Sequence, residues 1–259
     1  MRLRAVIRKE WEEIIKNKMV FWSLVLLPLL LTAIFLGIFV AMHISVARGQ
    51  PIRTNGPIPP YLAGYAPKDA VQIMMLNQFL IYFLIAPVTL PIYIAAFSII
   101  GEKQTRTLEP LLATPVRTWE LLLGKSVAAV VPPVIAGWLS YALFAIGARF
   151  VVSDVVFGVI ASPLWLLSLA ILGPLFGMLS VLVGVIASSR MNDPRAAQQW
   201  SALFLVPLVV VGMAMMMGAV TLSVWTLLGA ALALLVADGA VLYFAVRVFQ
   251  REVILTRWR

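Results

Sequence analysis

Three features of this sequence carry side chains that could do chemistry. Gly124-Lys125-Ser126 spells the end of a phosphate-cradling loop, Asp238 is a lone carboxylate in an apolar run, and residues 101–125 gather charges, threonines and leucines between two apolar stretches. The first is a decoy. In the G-x-x-x-x-G-K-[ST] pattern the first glycine falls at position 119, which is Trp119, and no strand precedes it, so nucleotide phosphates have no cradle here. Asp238 is expensive in hydrocarbon, which makes it a functional candidate; the plainer readings are a hydrogen-bonded packing carboxylate or one facing a wet cavity. Asn77 and Gln78 are candidates for a substrate pathway, although polar groups near a span end also meet headgroups or neighbouring helices. The chain has no cysteine and one histidine, His43, so disulfides, thiolate metal sites and thiol nucleophiles are excluded and an imidazole-based site has no support. With no clustered acids and no nucleophile beside a base, the expectation is no catalytic residue, no metal and no cofactor bound by this chain.

The elements that must position these residues are set by the solvent the sequence asks for. Apolar residues make up 62% and charged residues 12%, with a mean hydropathy of +1.00, so the solvent is a bilayer. The expected fold is all-α and polytopic: a single domain over residues 1–259 with spans at about 20–42, 73–100, 126–152, 163–187, 200–217 and 222–246. The first apolar run is too long for a signal-peptide core and lacks a small-x-small cleavage site, so it reads as a retained span. Residues 1–19 place Leu3, Ile7, Trp11, Ile14 and Lys18 on one stripe, with Arg4, Arg8, Lys9, Glu12 and Glu13 mostly elsewhere. That pattern predicts an interfacial helix in the headgroup layer, with a solvated juxtamembrane helix as the alternative. Pro87 and Pro91 lie inside span 2, and kinks are expected at Pro132 and Pro133 in span 3 and at the proline of span 4. Gly173 with Gly177, and the ladder Gly229, Ala233, Ala237, permit close helix approach, with interior packing favoured over a dimer seam.

The net charge of +9 does not point to nucleic acid, because the cations sit at span ends and not on one solvated face. Anionic lipid headgroups are the expected counter-charge. Sixteen Lys and Arg fall on the side of both termini, and four, Arg48, Arg53, Lys68 and Arg149, on the other. The positive-inside rule then places both termini in the cytoplasm, in a multi-pass protein of the cell (plasma or inner) membrane. No internal repeat and no inverted pair of broken helices is evident, which weighs against many secondary-transporter folds.

Within residues 101–125, Leu108, Leu111 and Leu112 form an apolar patch at helical spacing. Thr114 and Pro115 read as the N-cap and first turn of a second helix, and Trp119, Leu122 and Leu123 carry it into span 3. The result is a helical elbow on the cytoplasmic side. This string resembles the membrane-spanning subunits of ABC-2 type transporters, also called type V ABC exporters. The likeness rests on Gly101, Glu102 and Lys103; on Thr107, Leu108, Glu109, Leu111 and Leu112; on Thr114, Pro115 and Val116; and on Leu123, Gly124 and Lys125. It extends to Lys9, Glu10 and Trp11 and to the DPRAAQQ stretch before span 5. The resemblance implies that these residues, with Trp119, form a coupling helix that docks into a groove of a separate ATP-binding subunit. That partner holds the ATP and Mg, and two permease subunits and two ATPase subunits make a working exporter. The chain departs from the family at residues 218–223, which leave little room for the external insertion common between spans 5 and 6. The rival reading is an ion-gradient-driven secondary transporter or channel with Asp238 as the coupling carboxylate, which leaves residues 101–125 unexplained. A largely apolar pathway carries no residue code for the substrate.

Overall fold

Long uninterrupted apolar runs can satisfy their backbone in lipid only as helices, and the computed structural model is built accordingly. It describes residues 2–49, 59–104, 118–190, 199, 203 and 205–248. The helices are α1 (Arg2–Lys16), α2 (Lys18–Ala47), α3 (Pro67–Gln104), α4 (Thr118–Ala148), α5 (Asp154–Ile160), α6 (Pro163–Arg190), α7 (Leu205–Met216) and α8 (Val224–Val248). A short 3-10 turn, Pro60–Leu62, precedes α3, and no strand occurs among the described residues.

Among the described residues five helices are long and apolar enough to cross a membrane: α2, α3, α4, α6 and α8. The predicted span over residues 200–217 lies partly outside the described residues. It is represented by α7, whose 12 residues rise about 18 Å against a hydrocarbon core of about 30 Å. Also unforeseen is α5, a short helix between α4 and α6. Its N-cap Ser153 accepts a bond from the Val156 N–H and donates to Asp69 Oδ1 at 2.8 Å.

Helix α3 is the hub. In its apolar window 67% of residues are buried, against 22% in α2 and in α8, because it packs on α2, α4, α5, α6 and α7. Its prolines explain how neighbours come so close. Pro87 and Pro91 lack N–H groups, which frees the carbonyls of Phe83 and Pro87 from their helical bonds. Small residues face the freed oxygens. A Cβ at Gly177 of α6 would lie 3.2 Å from the Pro87 oxygen, and one at Gly137 of α4 would lie 3.7 Å from the Phe83 oxygen. Gly173 also faces Pro87, so the Gly173 and Gly177 pair packs the subunit interior. The second ladder does not pack the subunit interior at Gly229 and Ala233. The buried stripe of α8 runs through Leu227, Ala231, Leu234, Asp238 and Ala245, and helical geometry turns Gly229 and Ala233 to its exposed side.

The bundle has two distinct ends. At one, His43 Nδ1 lies 2.9 Å from the Val151 carbonyl, Ser153 bonds Asp69, and Gly218, at φ +73°, turns the chain beside Pro59. An aromatic cluster of Phe35, Phe39, Phe79, Phe83, Tyr141 and Phe144 fills the core on this side. At the other end a smaller core of Ile14, Val20, Ile94, Leu122, Val185 and Ala245 draws α1 against the bundle.

Candidate functional site

The candidate site is the end of the bundle where α3 leaves and α4 begins, and it is assembled from α1 upward. The α1 sequence puts Glu10 and Ile14 one turn apart, and both are buried. Its outer face carries two exposed i,i+4 pairs, Arg8 with Glu12 at 3.2 Å and Lys9 with Glu13 at 3.5 Å. Asn17 then breaks the helix for one residue. Its Oδ1 accepts from the N–H groups of Met19 and Val20 at 3.2 and 3.3 Å, capping α2, so the chain turns into the membrane without a loop.

Two contacts fasten α1 to α4. The Trp11 indole N–H donates to the Ala128 carbonyl at 3.1 Å. That carbonyl needs an outside donor because its helical partner is position 132, a proline with no N–H. The second contact is an ion pair: Lys125 Nζ donates to Glu10 Oε1 at 2.7 Å and to Ser98 Oγ at 2.8 Å. The lysine and glutamate side chains are 7% and 4% exposed. One ammonium therefore ties α1, the last turns of α3 and the first turns of α4. Burying two charges costs several kcal/mol that their attraction only partly returns, so such a pair fixes geometry more than it adds stability. Lys125 lies inside a continuous helix that begins at Thr118, which is not the geometry of a phosphate loop.

Of the residues proposed for coupling, Gly101, Glu102 and Lys103 fall in the last turn of α3, and Trp119 falls in the first turn of α4. Thr107, Leu108, Glu109, Leu111, Leu112, Thr114, Pro115 and Val116 lie outside the described residues. The pathway candidates are not brought together. Asp238 sits on the stripe of α8 that packs against α6, 9% exposed, and its Oδ1 has no hydrogen-bond partner among the described residues. Asn77 and Gln78 ride on α3, and the Gln78 Nε2 approaches Gly212 of α7. Sequence reasoning missed Gln72, which is fully buried with both amide atoms unpartnered among the described residues. It also gave Glu10 no role, although the juxtaposition of Lys9, Glu10 and Trp11 was in view. No group of His, Asp and Glu that could hold a metal occurs among the described residues.

A bundle of membrane-length helices, joined by proline-freed carbonyls and small residues and carrying an amphipathic helix at one end, is a multi-pass membrane protein. Residues 4–232 match the family model described as ABC-2 family transporter protein, and the chain belongs to that family. It is thus a membrane permease component of an ABC transporter and not itself an enzyme. Among curated proteins, none matches the chain.

Proposed function

We propose that this chain is the six-span permease subunit of an ATP-driven exporter in the cell membrane, with cytoplasmic termini. On this reading it works as a dimer and couples through residues 101–125 to a separate ATP-binding subunit that holds ATP and Mg. The observation that carries the reading is the Glu10, Lys125 and Ser98 cluster: it braces the roots of both helices that bear residues 105–117. A motor that pushes on a segment held between two stiff helices moves both spans, where a slack tether would absorb the displacement. The sixteen-to-four division of Lys and Arg supports the orientation. Helix α7 supports the dimer: it packs on α3 and leaves Val206, Val209, Val210 and Met213 exposed as a face for a second subunit. On this reading α7 belongs to the fifth crossing and α8 is the sixth.

Affinity purification in mild detergent tests this. An ATP-binding subunit should co-purify, and Glu102→Lys, Glu109→Lys or Leu108→Asp should release it and stop ATP-driven transport. Retained partner and unchanged transport in all three variants refute the coupling assignment. The unpartnered Asp238 oxygen favours a second reading, transport driven by an ion gradient through that carboxylate. It predicts transport by the chain alone, without nucleotide, lost in Asp238→Asn.

A further inference from the structure

Helices α1, α2 and α4 enclose an apolar groove of about 470 Å³ that nothing described so far uses. Ile15 of α1 lines it at the headgroup end, Phe21, Val25 and Leu29 of α2 form one wall, and Ile135 and Leu139 of α4 the other. Its lining offers a ligand no spare hydrogen bond. The Ser140 hydroxyl already donates to the Pro28 carbonyl at 2.8 Å and meets Thr32, and the Trp11 indole is committed to Ala128.

Length and charge identify the occupant. The α4 lining runs from Val131 to Leu143, about 18 Å of helix, which is close to the depth of one leaflet in a core about 30 Å thick. That depth and volume suit an acyl chain and not a helix about 10 Å across. At the mouth stands Lys18, the first residue of α2. It lies one turn before Phe21 and two before Val25, so helical periodicity sets it on the groove's own face, at the level where headgroups lie. Lys18 is exposed and has no carboxylate partner among the described residues, whereas the nearby Arg8 and Lys9 are paired with Glu12 and Glu13. A cation above an apolar slot one leaflet deep is complementary to one kind of molecule.

We infer that this groove binds one anionic phospholipid from the leaflet that carries α1, with an acyl chain between α2 and α4 and the headgroup phosphate on Lys18. The bound lipid wedges α1 against α4 beside the Glu10 and Lys125 pair, which makes it a structural ligand of the same end of the bundle. The inference rests on the position of α1 and not on the ATPase partner, so either can fail alone.

The test is native mass spectrometry of the full chain after equilibration in mixed micelles of phosphatidylglycerol and phosphatidylcholine. The wild type should retain one phosphatidylglycerol per chain. Ala136→Trp, which fills the groove, should cut that occupancy about tenfold or more. Lys18→Gln should keep a bound lipid but lower the preference for the anionic one about fivefold, the value of one cation at a membrane surface. Ala142→Trp, in the separate groove between α4 and α6, guards against a general folding defect and should bind as the wild type does. Unchanged occupancy in Ala136→Trp, unchanged selectivity in Lys18→Gln, or equal loss in Ala142→Trp overturns the inference.

Discussion

Replacing Lys125 by Met removes the ammonium that Glu10 and Ser98 share. Glu10 is then left as a 4% exposed carboxylate beside Ile14, Val20 and Ile94, with Glu13, Asn17 and Ser98 on the same small pocket, at a cost of about 3–5 kcal/mol. Replacing Glu10 by Leu in the same chain removes the stranded charge, and an apolar pair of similar volume is often neutral or better, so the double variant should recover most of the loss. The exposed pair of Arg149 and Asp154, with side chains 54% and 89% exposed, supplies the internal comparison. Arg149→Met should cost about 0–1 kcal/mol. The assay is denaturant unfolding in detergent for the four variants of a double-mutant cycle, with hydrogen exchange of the α1 amides as the local readout. Lys125→Met should release protection throughout α1 while α8 stays protected. A cost no larger than that of Arg149→Met, or additive effects of Glu10→Leu and Lys125→Met, would show that the pair does not hold α1 in place.

Three further outcomes follow from the packing. Gly177→Ala should destabilise the chain by about 1–3 kcal/mol, since its Cβ would meet Val130 Cγ1 at 2.8 Å, while Gly229→Ala, with nothing within 4 Å, should be neutral or stabilise by up to about 1 kcal/mol in the same melting experiment. Trp11→Phe keeps an aromatic side chain but loses the donor to Ala128, and should cost about 1 kcal/mol with faster exchange in α1. Asp238→Asn should leave nucleotide-driven transport in place, measured in vesicles with and without a proton gradient; loss of a nucleotide-independent, gradient-driven flux would instead support the rival reading.

The helices were legible because hydropathy acts locally: α2, α3, α4, α6 and α8 each come from one apolar run that lipid forces into a helix. Gly173 and Gly177 were legible as a close approach, but their partner was not, since the fit of Gly177 to the Pro87 carbonyl depends on how two helices cross. The same limit hid the centre of the site. Glu10 and Lys125 are 115 residues apart, and a lone glutamate on an amphipathic helix resembles any other solvated charge until the helix is docked. One signal was available: Trp11 needs an acceptor and Pro132 leaves one exposed at Ala128, which together place α1 beside α4. The side of α8 that Gly229 and Ala233 occupy was not legible, because Gly and Ala at four-residue spacing permit packing without requiring it.

The sequence contains no cysteine, so a single one introduced at Leu108 can be cross-linked without background. With the ATP-binding subunit co-expressed, L108C should capture that subunit in an amount that changes when ATP is added, and Tyr65→Cys, at the opposite end of the bundle, should capture none. Failure at position 108, or capture from position 65, would contradict the claim that this subunit is driven through residues 101–125.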